Sequence, residues 1–314
     1  MINDRVIIFS WGWRFFFVYN HGIMSKHPVY SIWRLFAHLP LNWLHRTGRL
    51  LGRFYVWFPN RERRIAEINL RLCFPEMAEK DLIDLRNRSI VQMGATVMEM
   101  AAIWFAPIER VLGLIKEVSG SELLQREEGR GLIILAPHLG CWEIIGLELP
   151  THERITSLYR PPRNSAYEHA IKQARERTGA ELVPTDTSGV KRILAALRSG
   201  GVTCILPDQQ PKSDAGAVFA PFFGVPALTM LLTNRLARKT GAKVIFAYAE
   251  RLSAGGGYHI HYLPADEGIT DRDPTVAASA LNHDVESIIR RLPTQYQWSY
   301  KRFQKQPEGR RSPY

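Results

Sequence analysis

The chain has 314 residues, of which 46% are hydrophobic and 23% charged, so it can bury a sizeable core and is not a disordered tail. Its three cysteines, Cys73, Cys141 and Cys204, are widely spaced and form no C-x-x-C pair, so nothing in their pattern suggests a disulfide framework or a zinc site. The formal net charge of +11 lies mainly in residues 1–65, with ten Lys/Arg against two Asp/Glu, and in residues 290–314, with seven against one. Such basic ends favour contact with an anionic surface, either a membrane or a nucleic acid.

The first 23 residues contain the apolar run VIIFSWGWRFFFVYN, which is interrupted by Arg14. As a helix, this run is too short to span a bilayer. It resembles the core of a signal peptide, but no small-residue cleavage site follows it. The segment that begins at Met24 resembles the N-terminus of a protein. We therefore expect residues 1–23 to be a weakly packed N-terminal extension.

Residues 41–58 (LNWLHRTGRLLGRFYVWF) predict a basic amphipathic helix. Asn42, Arg46, Arg49 and Arg53 recur at spacings of four, three and four, which places them in one stripe, while leucine, phenylalanine and tryptophan fill much of the rest. The pattern is typical of a helix that lies in a membrane interface. It also fits a helix that packs on the core and exposes a charged face, although the abundance of aromatic residues favours the interface.

Helical patterns continue to about residue 115, with Pro75 and Pro107 as breaks. Beyond Gly120, short apolar runs such as GLIILAP, GVTCILP and AKVIFAYAE alternate with helical stretches such as SAYEHAIKQARERTG and SGVKRILAALRSG. The stretch SAGGGYH, residues 253–259, predicts a hairpin turn. The chain contains no glycine-rich phosphate-binding loop.

The alternation of strands with helices predicts an α/β fold with a mixed, largely parallel sheet flanked by helices. We expect residues 24–118 to form an N-terminal helical, membrane-associated region. Residues 119–314 would form the α/β core, in which a last helix at about residues 275–291 precedes a basic tail. Within this core, a ligand is expected beyond the carboxyl ends of the strands.

One candidate site lies directly after the strand pattern GLIILAP. His138 follows it, and Glu143 comes five residues later. On one continuous helix these two side chains would be rotated apart by about 140° and would not face each other. They can meet if His138 lies in the turn and Glu143 in the first turn of the next helix, and Gly140 permits such a turn.

This pair has a plausible chemistry. A neutral imidazole can take a proton from a substrate hydroxyl, while a carboxylate on its other nitrogen fixes the tautomer and stabilises the imidazolium. The substrate hydroxyl then occupies the place of the serine in a catalytic triad. From the spacing alone, a structural alternative is favoured, in which His138 bonds to a loop carbonyl and Glu143 is a charge that stabilises the start of a helix.

Several ordered motifs resemble one family. They are HLPLNWLHRTGRLLG, NLRLCFPE, GLIILAPHLGCWE, YRPPRN, LPDQQP, FAPFFGVPALT and LPTQYQWSYKRF. Together they resemble the late acyltransferases of lipid A biosynthesis, the lauroyl and myristoyl transferases, within the broader lysophospholipid acyltransferase superfamily. The resemblance extends from about residue 28 to residue 303, and HLGCWE provides an H-x4-E box.

The resemblance implies transfer of a fatty acyl chain from acyl-acyl carrier protein to a hydroxyl of a lipid A precursor, without a cofactor or a metal. It places the enzyme on the cytoplasmic face of the inner membrane, as a peripheral or monotopic protein. Both implied partners, the carrier protein and an anionic glycolipid, are acidic and suit the basic ends of the chain. No helix-turn-helix, zinc-finger or RNA-binding signature is present, so no nucleic-acid partner is expected.

The resemblance also implies roles for particular residues. His138 is the general base and Glu143 is its orienting partner. Arg160, in YRPPRN, matches an arginine associated with substrate binding, and its guanidinium suits a phosphate or a developing oxyanion. A salt bridge at the end of a strand is the alternative for Arg160, although its position at the strand end weakens that alternative. Asp208, in LPDQQP, resembles the acidic residue of another superfamily motif and could position Arg160 or a substrate hydroxyl, although aspartate after proline is also a common turn residue.

Further along the same motifs, Arg163 and Asn164 are candidate headgroup contacts. Phe222, Phe223 and Gly224 fit an apolar wall for an acyl chain, and the aromatic core is the alternative for the phenylalanines. Cys141 is expected to pack without a catalytic role, because the acyl donor already carries a thioester.

Two other functions remain open from the sequence. A membrane-associated thioesterase or lipase would use Cys141 or Ser157 with His138, but the chain has no G-x-S-x-G elbow. A lipid- or nucleic-acid-binding protein without activity would depend on the basic ends alone. An acyltransferase that acts on a different lipid or aminolipid is a further alternative within the favoured class.

Overall fold

A computed structural model describes residues 33–160, 165–211 and 213–314. The predicted extension at residues 1–23 lies outside the described residues. In chain order the helices are α1 (Leu41–Trp57), α2 (Arg61–Cys73), α3 (Glu79–Phe105), α4 (Ile108–Leu112), α5 (Trp142–Glu148), α6 (Ser165–Glu176), α7 (Thr187–Arg198), α8 (Leu232–Thr240) and α9 (Pro274–Arg291). The strands are β1 (Ile115–Ser119), β2 (Leu132–Leu135), β3 (Thr156–Tyr159), β4 (Glu181–Pro184), β5 (Val202–Ile205), β6 (Ala217–Phe222), β7 (Val225–Met230), β8 (Lys243–Arg251) and β9 (Tyr258–Pro264).

The central sheet has the strand order β1-β9-β8-β2-β5. Strand β2 runs parallel to both β5 and β8, and β1 runs parallel to β9, whereas β8 and β9 form an antiparallel pair. A parallel bridge between Ile155 and Val202 places the short parallel pair β3–β4 beside β5. The structure confirms the predicted α/β class with a mixed, largely parallel sheet, and the antiparallel β8–β9 connection confirms the predicted hairpin turn.

Strand β2 explains where the core lies. All four of its side chains are fully buried, as expected for a parallel strand covered by helices on both faces. Leu132 and Ile134 pack into one apolar cluster with residues of α1, α3 and α5, while Ile133 and Leu135 pack into another with residues of α2, α7 and α9. Each such side chain stabilises the fold by about 1.5–3 kcal/mol relative to an exposed one.

Helix α1 packs against α3 through glycines. A β-carbon on Gly48 would collide with the carbonyl of Gly94, and one on Gly52 would lie 2.8 Å from the Cα of Val91. Residues of any larger type would therefore force the two helices apart. The G-x-x-x-G spacing on α1 brings the two backbones into direct contact.

The opposite side of α1 exposes large apolar side chains. Trp43 is 57% exposed, Phe54 is 57% exposed and Trp57 is 75% exposed, and Leu50, Leu51 and Phe58 are also exposed. Arg46 and Arg53 lie among them on the surface. The helix therefore combines features of both predicted alternatives, because one face packs on α3 and the other presents aromatic, aliphatic and basic groups. Among the described residues, no helix has the length and apolar character needed to cross a membrane.

Candidate active site

The candidate site is formed where two neighbouring parallel strands end. His138 follows β2 and Asp208 follows β5, and the carboxyl ends of parallel strands meet at the same edge of a sheet. Nδ1 of His138 lies 2.9 Å from Oδ1 of Asp208, and the backbone N–H of His138 also donates to this carboxylate, at 3.2 Å to Oδ2. Both residues are buried. The backbone and the side chain of His138 are thus fixed by one carboxylate.

This contact determines which nitrogen of His138 can act as a base. An ionised carboxylate only accepts hydrogen bonds, so Nδ1 carries the proton and Nε2 carries the lone pair when the imidazole is neutral. The side-chain Nε2 of Gln209 lies 3.0 Å from Nε2 of His138 and is suited to donate to that lone pair. Gln209 was not predicted as a site residue, although its place directly after Asp208 in LPDQQP was a usable signal.

Asp208 is held in its charged form. Burial by itself would raise the pKa of its carboxyl, but attraction to His138 and the hydrogen bonds from the imidazole and from backbone N–H groups outweigh burial and lower the pKa. The phenol of Tyr296 nearby shows the opposite effect, because burial and the charge of Asp208 both raise its pKa. Asp208 therefore carries its negative charge at neutral pH and can stabilise an imidazolium.

The turn that carries His138 is held by the C-terminal segment. Gly140 has a φ of +59°, as the predicted turn requires, and a β-carbon there would collide with the carbonyl of Ala249. Its N–H donates to the carbonyl of Gln295 at 3.1 Å, and the N–H of Gln297 donates to the carbonyl of His138 at 3.2 Å. The segment LPTQYQW thus supports the site through its backbone.

Glu143 lies in the first turn of α5, where it was predicted, with His138 in the preceding turn. Its carboxylate forms an ion pair with Arg175 of α6, with 2.9 Å between Nε and Oε2, and accepts a hydrogen bond from Trp104 at 3.3 Å. Burial would raise the pKa of Glu143, but Arg175, Trp104 and the nearby His138 lower it overall. Asp208, at Nδ1 of the imidazole, makes the orienting contact that we predicted for Glu143, and Glu143 is a second buried carboxylate close to the imidazole.

Of the remaining predicted residues, the structure describes Arg160, Phe222 and Phe223. Arg160 directly follows β3 and is exposed, at the edge of the sheet where β2 and β5 also end. Arg163 and Asn164 lie outside the described residues. Phe222 and Phe223 are buried among aromatic side chains such as Trp298, which agrees with the core alternative rather than with an acyl-chain wall.

The hydrolase alternative names two nucleophiles, Cys141 and Ser157, and the structure shows the surroundings of both. Cys141 is fully buried, and burial, together with the charge of Glu99, raises the pKa of its thiol well above the ordinary value. A thiol of that kind is inert, because the thiolate is the nucleophile. The hydroxyl of Ser157 accepts a hydrogen bond from the backbone N–H of Cys204 at 3.2 Å, within the β3–β5 contact.

The fold and the site define the class of protein. A buried histidine–carboxylate pair at the carboxyl edge of a largely parallel sheet is typical of α/β enzymes that use general-base catalysis. Comparison with known sequences identifies the group that is transferred. The chain belongs to the bacterial lipid A biosynthesis acyltransferase family, whose sequence model matches residues 23–305.

Individual relatives agree with this assignment. The lipid A biosynthesis lauroyltransferase of Escherichia coli (strain K12) is 31% identical over 280 residues, which cover 88% of this chain and 90% of that protein. The palmitoleoyltransferase of the same organism is 29% identical over 283 residues, covering 89% and 91%. Its myristoyltransferase is 25% identical over 278 residues, covering 86% and 83%. The protein is therefore an acyltransferase enzyme, as the sequence motifs indicated.

Proposed function

We propose that this enzyme transfers a fatty acyl chain from acyl-acyl carrier protein to a hydroxyl of a lipid A precursor, at the cytoplasmic face of the inner membrane. The observation that carries the proposal is the buried pair of His138 and Asp208, which leaves Nε2 of the imidazole as an oriented base. The names of the relatives include lauroyl, palmitoleoyl and myristoyl groups at similar identities, so the proposal specifies a fatty acyl chain and no particular length.

The reaction proceeds by direct transfer. Nε2 of His138 takes the proton of the acceptor hydroxyl as its oxygen attacks the thioester carbonyl. The tetrahedral intermediate collapses by breaking the carbon–sulfur bond, and the departing thiolate receives the proton from the imidazolium. Asp208 holds Nδ1 and offsets the positive charge of the imidazolium. No protein nucleophile is needed, which agrees with the inert state of Cys141.

Glu143 acts beside this pair. Its ion pair with Arg175 joins α5 to α6 and so fixes the start of the helix that follows the His138 turn. Arg160, at the same edge of the sheet, provides a guanidinium for a phosphate of the acceptor or for the oxyanion. Arg163 and Asn164 follow it in the chain and are assigned to the headgroup of the same substrate.

The surface of α1 supports docking on a membrane. Its exposed tryptophan, phenylalanine and leucine side chains suit the boundary between headgroups and acyl chains, and Arg46 and Arg53 suit anionic lipids. The basic ends of the chain likewise suit an acidic carrier protein and a phosphorylated glycolipid. A peripheral enzyme docked in this way meets its lipid acceptor in the membrane and its acyl donor from the aqueous side.

The test is mass spectrometry of a lipid A precursor after incubation with acyl-acyl carrier protein and purified enzyme. The intact protein should add one acyl mass, whereas His138→Ala should lower the rate by about 10²- to 10⁴-fold because the general base is lost. His152→Ala is the matched control, since His152 is also paired with a carboxylate, Glu148, but is exposed.

Equal acyl addition by the intact protein and His138→Ala would refute the proposed base. Release of free fatty acid in the presence of the acceptor, without acylated product, would favour the hydrolase alternative. Acyl addition only to a different lipid would support the proposed mechanism and would show that the acceptor is not a lipid A precursor.

A further inference from the structure

A second group of chemically capable side chains lies on the β8–β9 pair. Glu250 on β8 is directly opposite His259 on β9, and His261 follows two residues later. Because side chains alternate along a strand, the two histidines share one face of the sheet, and the residue opposite His259 shares it with them. One nitrogen or oxygen atom from each of the three residues lies within 4.8 Å of the other two. Acyl transfer as proposed above makes no use of this cluster.

We propose that Glu250, His259 and His261 form a binding site for a divalent transition-metal ion of the zinc type. Imidazole nitrogen and carboxylate oxygen are the ligands that such ions prefer among the nitrogen and oxygen donors of proteins. Three protein ligands leave a fourth tetrahedral position for water or another small ligand. The proposal concerns metal binding and is independent of the acyltransferase mechanism.

The distances are close to those that coordination requires. Two ligands at about 2.0–2.2 Å from a tetrahedral ion are separated by about 3.3–3.6 Å. Nε2 of His261 already lies 3.2 Å from Oε2 of Glu250. The third ligand atom lies within 4.8 Å of the other two and so must approach by at most about 1.5 Å. The rings of His259 and His261 are stacked, with centroids 3.7 Å apart, so ion binding requires them to turn until their nitrogens converge on the ion.

Strand β1 supplies an outer layer for this cluster. The hydroxyl of Ser119 lies 2.7 Å from Nε2 of His259, and Oε2 of Glu117 lies 3.3 Å from its Nδ1. Whichever ring nitrogen of His259 binds the ion, the other keeps a hydrogen-bonding partner, as is usual for histidine ligands. Glu117 also adds a second carboxylate to the local charge.

Charged groups around the cluster both attract and repel a cation. The guanidinium of Arg291 acts on His261 electrostatically and repels a cation, whereas the two carboxylates, Glu250 and Glu117, attract one.

The experiment is calorimetric titration of zinc chloride into full-length protein that carries no polyhistidine tag and has been treated with a chelator. We expect one ion per chain with a dissociation constant in the micromolar range or below, and an increase in melting temperature when zinc is present. His259→Ala and His261→Ala should each weaken binding by at least about tenfold. His152→Ala, which removes an exposed histidine beside a single carboxylate, should bind as the intact protein does.

Absence of stoichiometric binding, or the same dissociation constant in both histidine variants as in the intact protein, would overturn the proposal. Retained melting behaviour of the zinc-free variants shows that they are folded. Because the readout is binding, His138→Ala should titrate with zinc like the intact protein. The titration of His138→Ala therefore tests the proposed metal site independently of the candidate active site, even if the proposed acyl transfer is refuted.

Discussion

Asp208 is a buried carboxylate whose charge is maintained by its contacts with His138. The sequence placed both residues after strand patterns, and it identified Gly140 as the turn residue. It could not show that Asp208 reaches Nδ1, because the two residues are seventy positions apart and meet only where β2 and β5 lie side by side. Arg175, the partner of Glu143, had no signal in the sequence, since a helix-surface arginine is usually solvated.

At the residue scale, Asp208→Asn tests the orienting role. The amide keeps the size of the side chain but loses the charge, and it can present N–H to Nδ1 and so favour the wrong tautomer. We expect the rate constant for acyl transfer to fall by about 10²- to 10⁴-fold, with a smaller effect on KM. Steady-state kinetics with acyl-acyl carrier protein measure both quantities.

Glu143→Gln is the companion variant for this prediction. It leaves the bond between Asp208 and His138 in place and breaks the ion pair with Arg175, so we expect a smaller loss of rate than in Asp208→Asn. A larger loss in Glu143→Gln would instead make Glu143 the partner that orients the base, as the H-x4-E motif alone suggested.

At the scale of elements, hydrophobic patterns predicted most helices and buried strands within a few residues. Strand β1 was missed because it lies at the sheet edge with mostly exposed, polar side chains and no apolar run. The β6–β7 hairpin was also missed, since its turn places Phe223 at a φ of +50°, a conformation that phenylalanine rarely adopts.

The exposed face of α1 gives the element-scale prediction. Replacing Phe54 and Trp57 by serine should reduce sedimentation with vesicles containing anionic lipid by at least about tenfold, because each large apolar side chain contributes about 1.5–3 kcal/mol on burial. Activity on a detergent-dispersed acceptor should be preserved, since neither side chain belongs to the candidate site.

The control for this surface is Val276→Ser, which removes another exposed apolar side chain, 46% exposed, from α9. It should sediment like the intact protein. Equal loss of binding in Val276→Ser, or unchanged binding in the double variant, would show that α1 is not the docking surface.

For the whole molecule, one buried polar network joins distant parts of the chain. Glu99 and Arg251 are both fully buried and form an ion pair, with 2.8 Å between Nε of Arg251 and Oε2 of Glu99. His45 of α1 and Tyr258 of β9 also contact this carboxylate at 2.8 Å. Arg251 further donates to the carbonyl of Gly140 at 3.3 Å, so the network that holds α1 and α3 against the sheet also supports the turn of the candidate active site.

This network predicts a pH-dependent contribution to stability. Burial would raise the pKa of Glu99, but attraction to Arg251 and the hydrogen bonds outweigh burial and lower the pKa from 4.5 to about 2. The stabilisation is therefore fully present above about pH 4.5 and is lost as the pH falls through about 2. We expect Glu99→Gln to lower the free energy of unfolding at pH 7 by about 3–5 kcal/mol, because Arg251 is left buried without a counter-charge.

Urea denaturation of the intact protein and of Glu99→Gln between pH 7 and pH 2.5 measures this contribution. The difference in unfolding free energy should narrow as the pH falls. Glu79→Gln, which removes a carboxylate from an exposed pair with Arg71, should leave the unfolding free energy almost unchanged. A constant difference across this pH range would contradict the ionised state of Glu99.

The sequence alone determined the features that depend on local pattern. Apolar periodicity defined the buried strands and the amphipathic α1, and the resemblance of several ordered motifs indicated the acyltransferase family and implied His138 as the general base. Tertiary structure decided which groups meet: Asp208 with His138, Arg175 with Glu143, and Glu250 with two histidines of the neighbouring strand. Such contacts depend on which strands and helices become neighbours, and that order arises from burial of the whole core rather than from any single segment.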